Sequence, residues 1–260
     1  MIEALAWGIG TEVVGRGHPG RARYGQSRGG AVDIESLALG NRLLGNAVDA
    51  AGVETCGGLV LRTTTPAMVC VTGAVAVVQV EHGPPVGWGA PVVLPAGATM
   101  RVVRVVDGAR TYVCVRGGCV RDGDRLTVGP DPGTPATSHP AVPRALGQTA
   151  RLWPGPRLDW FVSGTWERLL SGAWTVASSS RVGVRMSGPV LQRSVAGELP
   201  SEGLVEGAVQ VPPDGQPIVM LADHPTTGGY PVVAVVDPAD LAVLAQSPPG
   251  AHVRFHPAHP

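Results

Sequence analysis

The sequence predicts a mainly β protein built from two lobes. Glycine and proline occur 37 and 25 times in 260 residues, and valine is scattered in short runs. Many turn residues between short β-branched runs favour short strands over long helices. A stretch rich in proline, glycine, serine and threonine divides the chain, and it predicts a linker at residues 131–150.

The N-terminal lobe is predicted to span residues 1–130. A helix is expected over residues 33–45, because Asp33 can cap its start and Gly45 can close its end. Beyond it, strand-like runs alternate with turn residues, in the order GLVLR, AMVCVTGAVAVVQVE, PVVLPAG, TMRVVRVV, RTYVCVRGG and DRLTVG. This spacing predicts an antiparallel barrel or sandwich.

The C-terminal lobe is predicted to span residues 151–260. A helix is expected near DWFVSGTWERLLSG with its cap at Asp159, and strands resume through VGVRMSG, GAVQVPPDG, QPIVMLAD and YPVVAVV. A last helix should start at Asp237, because a capping residue followed by proline is typical of a helix N-terminus. Each lobe therefore carries a short helix near its start.

Charge and composition exclude several functional classes. Twenty acidic and twenty basic residues cancel, so nothing in the charge favours binding to nucleic acid or to a membrane surface. Every basic residue is arginine, because the chain contains no lysine. A P-loop lysine, a Schiff-base lysine and a biotin-carrying lysine are therefore excluded. Arginine, backbone N–H groups or another protein of a complex must bind any phosphate or carboxylate.

Targeting and metal-binding features are not expected. MIEALAWGIG has no basic segment before an apolar stretch, and AMVCVTGAVAVVQV is too short and interrupted to span a bilayer. The four cysteines form no C-x-x-C pair, which indicates free thiols in a reducing compartment, and they are Cys56, Cys70, Cys114 and Cys119. The histidines show no metal-ligand spacing. We expect a cytoplasmic protein without a metal.

Two glycine motifs near the N-terminus are better explained as turns. GRGHPG matches the G-x-G-x-x-G pattern, but a dinucleotide site must open a helix, and RARYGQSRGG follows instead. GQSRG matches the nucleophile-elbow pattern, but two glycines separate Ser27 from the helix cap at Asp33. Neither a dinucleotide cofactor nor a catalytic serine is expected here.

A polar loop near the C-terminus is the main candidate for a ligand site. In LADHPTTGGYPVV, hydroxyls and glycines interrupt a strand-like run, which is more than an ordinary turn requires. Asp223 and His224 adjoin this loop, and His224 is either catalytic or a hydrogen-bonded structural residue. Gln210 lies in an apolar strand and needs partners, either structural or from a ligand.

Two arginines precede this loop. Arg181 and Arg185 are four residues apart in SSSRVGVRMSG, so in a strand both would face the same side. They could clamp a carboxylate or phosphate, since guanidinium groups bind such anions through paired hydrogen bonds. The alternative is a solvated face that pairs with nearby acids.

Long motifs in both halves resemble one family. The resemblance is carried by GAVQVPPDGQPIVMLADHPTTGGYPVVAVV, with SSRVGVRMSGP before it and LAQSPPGAHVRF after it. The segment GGAVDIESLALGNRLLGNAVDAAGVE resembles the G-A-x-D-x-x-S…N-x-x-x-G-N…E stretch of the same family. The family is that of the bacterial 5-oxoprolinase C subunit, also called allophanate hydrolase subunit 2, the biotin-dependent carboxyltransferase-like family or the kinase-inhibitor-antagonist family. The resemblance covers nearly the whole chain.

The resemblance implies two cyclophilin-like β-barrel lobes and an active site shared with a partner, which is the kinase-inhibitor-like B subunit, or subunit 1. It implies hydrolysis of an amide C–N bond, with ATP required when 5-oxoproline is the substrate. ATP would be bound largely by the partner, and this chain would carry no biotin. The family's ligand-facing loop corresponds to TTGGYP, whose glycines would let backbone N–H groups approach a small anion.

The residue patterns and the resemblance together give the candidate site residues. The catalytic candidates are Asp223 and His224. The substrate-binding candidates are Arg181, Arg185, Gln210, Thr226, Thr227, Gly228, Gly229 and Tyr230. Secondary candidates in the first lobe are Asp33, Asn41, Asn46 and Glu54.

The sequence departs from the family in its first lobe. Val14-Gly15 stands where the family tends to have Gln-Asp, and Gly29 stands where it usually has serine. RGGCVRDGDRL also runs directly from Gly118 to Gly123, where the family inserts a long loop with an L-G-S motif. Two hypotheses follow: a subunit of an amide hydrolase, or a non-catalytic subunit that regulates its partner.

Overall fold

The chain divides into two compact units. The computed structural model describes residues 1–143, 147–197 and 199–259. One unit consists of Met1–Gly17 and Asp33–Ala145, and the other of His18–Val32 and Leu146–Pro260. The sequence-based lobe boundaries remain a prediction; they placed residues 18–32 in the first lobe, whereas in the structure this segment packs with the second unit.

The first unit is a β-sheet with one α-helix. Its strands are β1 (Ile2–Ala6), β2 (Glu12–Val14), β3 (Gly52–Thr55), β4 (Leu59–Thr63), β5 (Ala67–Glu81), β6 (Val92–Leu94), β7 (Thr99–Val115), β8 (Cys119–Asp122) and β9 (Arg125–Val128). The order β2-β3-β7-β4-β1-β9-β8 forms a nearly closed barrel, and β5 pairs with β6 and β7. The structure confirms the mainly β class.

One long strand replaces two predicted ones. TMRVVRVV and RTYVCVRGG were expected as separate strands, but β7 continues through Asp107-Gly108-Ala109. The register between β5 and β7 shifts at three places, including Gly73/Val75. These irregularities let the pair bend and twist without ending, as β-bulges do. The turn residue Gly108 therefore marks a bend within a strand.

The predicted first helix is confirmed as α1 (Ile34–Leu44). The Asp33 carboxylate accepts a hydrogen bond from the Ser36 N–H at 3.1 Å, and Gly45 adopts the left-handed conformation that ends the helix. Gly40 lets α1 approach the sheet closely, because a Cβ at this position would lie 2.6 Å from the Cys114 Sγ.

The second unit contains a closed barrel. Its strands are β10 (Thr149–Pro154), β11 (Trp174–Ser179), β12 (Gly183–Ser187), β13 (Glu202–Gly203), β14 (Ala208–Gln210), β15 (Ile218–Met220), β16 (Thr227–Gly228), β17 (Val232–Val236) and β18 (His252–Pro257). The barrel order is β10-β17-β14-β15-β12-β11-β18, and β13 pairs with β16 in a separate ribbon. Trp174 and Phe255 are among the largest side chains in the barrel core.

The predicted cap of the second lobe's first helix is wrong. Asp159 lies in a three-residue 3-10 turn, and the helix α2 (Thr165–Ser171) begins after Gly164. The Thr165 hydroxyl donates to the Val162 carbonyl at 2.7 Å, which holds the chain in a tight turn before the helix. The last helix begins as predicted, because the Asp237 side chain accepts from the Ala239 N–H; a 3-10 turn there leads into α3 (Leu241–Ala245).

The four cysteines form no disulfide within the described part of the chain, as predicted. Three are buried, and Cys56 is half-buried. Burial raises the pKa of Cys70 and of Cys119 to about 12, so these thiols are unreactive near neutral pH. Across the described part of the chain, no helix has both the length and the apolar character needed to cross a bilayer.

Candidate functional site

The candidate site lies on the outer face of the second unit's barrel. Val184, Val209 and Val219 point into the core, so their neighbours along β12, β14 and β15 point outward. The strand registers place Arg185 opposite Ile218, and Ile218 opposite Gln210. Directly paired residues project on the same face, so these three side chains form one outward row.

The β13–β16 ribbon covers part of this face. The Leu204 N–H donates to the Thr226 carbonyl at 2.9 Å and extends the pairing between the two short strands. A small apolar cluster is buried with the ribbon, and its members are Leu204, Ala208, Met220 and Val232. The Arg157 guanidinium binds the Glu202 carboxylate, with Nε to Oε2 at 3.0 Å. The loop TTGGYP is therefore an ordered cover over the barrel.

Gln210 lies beneath this cover. Its side chain is 3% exposed, and its Nε2 donates to the Tyr230 carbonyl at 2.9 Å. Its Oε1 accepts no hydrogen bond among the described residues, and this atom is not fully buried. Gly228 approaches the amide closely, since a Cβ there would lie 2.7 Å from the Gln210 Nε2. The Gln210 side chain thus makes one hydrogen bond within the protein, and its Oε1 can accept another from a ligand.

The loop residues differ in their exposure. Thr227 and Tyr230 are exposed, whereas Thr226, Gly228 and Gly229 are half-buried. Neither glycine has a positive φ, so close packing explains Gly228 better than backbone conformation does. The loop therefore presents a hydroxyl and a phenol ring to the outside.

The Asp223 carboxylate is engaged by Arg181. The guanidinium Nε and Nη2 reach the two carboxylate oxygens at 2.7 and 3.0 Å, and Nη2 also donates to the Gly30 carbonyl at 2.7 Å. The Gly29 N–H donates to the Ala222 carbonyl at 2.9 Å. Asp223 and Arg181 thus fasten the segment 18–32 to the second unit.

Arg181 and Arg185 do not share one strand face in the structure. The strand begins at Gly183, so Arg181 lies in the turn before it and the alternation of strand side chains does not apply. Arg185 does lie on β12, and its guanidinium pairs with the Asp214 carboxylate. Each arginine is held by a different acid.

His224 is buried at the start of the loop. Its Nδ1 lies 2.7 Å from the Pro225 carbonyl oxygen, and a carbonyl only accepts, so Nδ1 must carry the proton. In the neutral ring, Nε2 is then the unprotonated nitrogen, and it has no hydrogen-bond partner among the described residues. The Nε2 of His224 can therefore accept a hydrogen bond, whereas both carboxylate oxygens of Asp223 already accept from Arg181.

Two first-lobe candidates belong to a buried network. The Tyr112 hydroxyl donates to the Glu54 carboxylate at 2.7 Å and accepts from the Asp33 N–H at 2.8 Å. The Arg110 Nε lies 3.6 Å from the other oxygen of Glu54. Burial and the two carboxylates raise the pKa of Tyr112 well above its ordinary value. All four side chains are buried, so this network is positioned to stabilise the fold.

The other two first-lobe candidates hold loops together. The Asn41 side chain donates to the Val48 and Ala50 carbonyls at 3.3 and 2.7 Å. The Asn46 side chain donates to the Val115 carbonyl at 2.8 Å and accepts from the Gly117 N–H at 2.8 Å. The two amides also bond to each other at 3.0 Å. The two side-chain amides therefore bond to the backbone and to each other.

Sequence reasoning missed Arg193. Its Nη2 donates to the Val211 carbonyl, and its guanidinium carbon lies 6.0 Å from the centre of the Tyr230 ring. No motif marks this residue, because it lies outside the named strands, in an isolated β-bridge with Phe161, and meets Val211 and Tyr230 only after folding. The absence of lysine was the one available signal, since it makes every arginine a candidate for anion binding.

Metal binding finds no support in the geometry. Across residues 1–143, 147–197 and 199–259, no group of three or more histidine, cysteine or acidic side chains could hold a metal ion. The open polar atoms of the site are instead an amide oxygen, a hydroxyl, an imidazole nitrogen and a guanidinium. This set suits a small ligand with hydrogen-bond donors and a negative charge.

Comparison with known sequences gives full-length relatives. A family model described as "Carboxyltransferase domain, subdomain A and B" matches residues 24–121 and 119–257. The 5-oxoprolinase C subunit of Escherichia coli strain K12 is 32% identical over 282 residues, covering 98% of this chain and 90% of the relative. The 5-oxoprolinase C subunit of Haemophilus influenzae is 32% identical over 281 residues, also covering 98% and 90%. The urea amidolyase of Saccharomyces cerevisiae is 26% identical over 306 residues, which are 16% of that protein.

Solved structures share the fold. The crystal structure of TTHA0988 superposes with a TM-score of 0.87 at 32% identity, covering 98% of this chain and 55% of that chain. The present chain thus spans about half the length of that solved protein. The K. lactis urea amidolyase structure gives a TM-score of 0.89 at 23% identity, covering 99% of this chain and 19% of that one. At that identity the likeness concerns the fold alone.

Proposed function

The chain belongs to the carboxyltransferase domain A and B family, and from that premise we propose that it is a subunit of an ATP-dependent amide hydrolase. The observation that carries the proposal is the 32% identity to two 5-oxoprolinase C subunits, which covers 98% of this chain and 90% of each relative. A small carboxylate-bearing amide, such as 5-oxoproline or allophanate, is the substrate we assign.

The open groups of the second unit fit such a substrate. The Gln210 Oε1 would accept the amide N–H, and the exposed Thr227 hydroxyl would donate to a substrate oxygen. The His224 Nε2 would accept a proton during C–N hydrolysis, because its Nδ1 already donates to a carbonyl. Asp223 would act through Arg181, by fastening the segment 18–32, and not as the base.

ATP fits this chain poorly. The chain has no lysine, and the glycine-rich residues 15–20 lead to a three-residue 3-10 turn and not to an α-helix whose N-terminus could hold phosphate. We therefore assign ATP binding to a partner, the homologue of the 5-oxoprolinase B subunit (subunit 1), and derive no step through ATP here.

The test is co-expression with that homologue, followed by a substrate panel with and without ATP. We expect a stable hetero-complex that hydrolyses at least one small carboxylate-bearing amide. Separate elution of the two proteins at micromolar concentration, or a complex inactive on the whole panel, would contradict the proposal.

A matched pair of valine variants tests the loop itself. Thr227→Val keeps the side-chain shape and deletes the hydroxyl, so turnover of the complex should fall about tenfold, as expected for about 1.4 kcal/mol from one hydrogen bond. Thr127→Val makes the same change at an exposed position of β9 and should leave turnover unchanged. Equal turnover in both variants would return the loop to a purely structural role.

One observation favours the alternative, a non-catalytic regulatory subunit. β8 and β9 are joined directly, with Asp122 paired to Arg125, so the first unit lacks the long polar loop expected from the family resemblance. If the partner is active without this chain, and wild-type and His224→Gln chains change that activity equally, regulation and not catalysis is the function of this protein.

A further inference from the structure

Arg193 has an unusual hydrogen-bonding state. Its Nη2 donates to the Val211 carbonyl, while its Nε is buried and has no acceptor among the described residues. Its Nη1 makes no hydrogen bond with the described residues and is not fully buried. Buried donors without acceptors are rare in folded proteins, and each one calls for a functional or structural reason.

The charge of Arg193 also has no acidic partner among the described residues. Arg157, Arg181 and Arg185 each bind a carboxylate of the second unit. Arg193 forms no ion pair with any residue that the structure describes. The arginines that the sequence put forward are therefore already occupied, whereas a less conspicuous one retains its capacity for an anion.

The surroundings of Arg193 form a small cleft of about 390 Å³. Among the described residues that line it, Arg193 is the charged one, Gln192 is polar, and the others include Val190, Leu191, Val195 and Pro213. A mostly apolar lining with a cation and an amide suits a compact organic acid, because a guanidinium forms charge-assisted hydrogen bonds with a carboxylate. The volume fits a small molecule better than a peptide.

The cleft is connected to the loop site through the backbone. Arg193 bonds to the carbonyl of Val211, the residue after Gln210, and it lies beside the Tyr230 ring. Gln210 bonds to the carbonyl of that same Tyr230. Arg193 and Gln210 are therefore linked through two shared neighbours, the backbone at residues 210–211 and Tyr230.

We propose that Arg193 binds the carboxylate of the substrate, while Gln210 binds its amide. This inference rests on the proposed function and specifies which arginine recognises the acid. Arg185, the sequence-predicted ligand, would instead keep its bond to Asp214. No covalent step is involved, and the role of Arg193 is specificity for anionic over neutral amides.

The experiment measures binding to the hetero-complex by calorimetry, without ATP, so that it does not depend on turnover. The probes are 5-oxoproline and its neutral carboxamide analogue. Arg193→Gln should weaken 5-oxoproline binding by about 10- to 100-fold and leave carboxamide binding unchanged, since only the acid uses the guanidinium. Arg193→Lys, which keeps the charge, should give an intermediate loss.

The control is Arg168→Gln, an exposed arginine on α2 of the same unit, which should bind both probes like the wild type. Equal losses for acid and carboxamide in both Arg193 variants would show a structural role and overturn the inference. So would unchanged 5-oxoproline binding, or failure of the wild-type complex to bind 5-oxoproline. A complex that binds with the predicted selectivity but never turns over would contradict the proposed function alone.

Discussion

The two units of the chain use their buried polar residues in opposite ways. In the first unit, Glu54, Arg110 and Tyr112 are nearly inaccessible and bond to one another. In the second unit, Gln210 and Arg193 each make one bond to the backbone and keep further polar atoms unused among the described residues. A buried network whose polar groups bond to one another indicates a structural role, whereas polar groups without partners beside a cleft indicate ligand binding.

The contrast separates two kinds of candidate residue. Residues of the first unit should control stability and leave substrate affinity alone. Residues around the ribbon of the second unit should change affinity more than stability. Three experiments test this division, beginning with the largest expected effect.

Glu54→Gln should cause the largest loss of stability. The amide keeps the shape of the side chain and can still accept from the Tyr112 hydroxyl, but it removes the negative charge facing the buried Arg110 guanidinium. Breaking a buried ion pair in this way costs on the order of 3 kcal/mol. Chemical denaturation of the purified chain measures the change in unfolding free energy.

The matched control for this variant is Glu81→Gln. Glu81 pairs with Arg101 at 3.3 Å on the surface of the same unit, and its loss should change stability by less than about 1 kcal/mol. If both variants lose equally little, the network of the first unit is not a source of stability, and a functional role for Glu54 returns to consideration.

Gly228→Ala should have an intermediate effect, centred on the ribbon. The added Cβ would lie 2.7 Å from the Gln210 Nε2 and 2.8 Å from the Leu204 Cδ1, so one of them must move. Overpacking of this kind costs about 2 kcal/mol, and displacement of Gln210 should also weaken substrate binding. Thermal unfolding and calorimetry on the same sample measure the two effects.

Gly229→Ala is the neighbouring control. Among the described residues, its Cβ would meet the Leu199 carbonyl oxygen alone, at 3.3 Å, and its φ is not positive. Stability should stay within about 0.5 kcal/mol of the wild type. Wild-type affinity in Gly228→Ala would argue against Gln210 as a substrate ligand.

The smallest effect is a pH dependence of the ribbon. The hydrogen bond from Arg157 lowers the pKa of Glu202 below its ordinary value of 4.5. A lowered pKa in the folded state stabilises the ribbon above pH 4.5, and this contribution is lost as the pH falls through the depressed pKa. Amide hydrogen exchange of Leu204, corrected for its intrinsic rate, should accelerate as the pH falls below 4.5, the ordinary pKa of this carboxyl.

Arg157→Gln tests the cause of this acid response. Without the guanidinium, the exchange rate should already be high at about pH 6 and show no further step on acidification. An acid step that persists in Arg157→Gln would assign the acid response of the ribbon to another group.

The first unit behaves in the opposite direction, because burial and the nearby carboxylates raise the pKa of Tyr112. The contribution of Tyr112 to the stability of the first unit is complete below the ordinary tyrosine pKa of about 10 and is lost at more alkaline pH.

Local sequence patterns predicted those elements whose causes are local. The first helix follows from Asp33 and Gly45, which cap it through bonds within a few residues. The last helix follows in the same way from Asp237. The helix near Asp159 was misplaced, because Gly164 and a threonine turn set its start and neither is a strong sequence signal.

The candidate site was predicted less completely, because its geometry depends on contacts distant in sequence. The loop TTGGYP and Gln210 were identified, and they do meet in the structure. The alternation rule failed for Arg181 because it lies in a turn. Arg193 was missed because its contacts in the structure, Val211 and Tyr230, lie 18 and 37 residues further along the chain. Residue type alone cannot reveal which arginine remains without a carboxylate.

The segment 18–32 has a consequence for how the protein is made. It leaves the ribosome early, yet the strands that it packs against follow only after residues 33–145. At about 5–20 residues per second, this delay is on the order of ten seconds. The barrel of the second unit therefore closes only after the first unit has been synthesised. A fragment that starts at residue 147 would lack Val32 in its core and the Gly29 contact with Ala222.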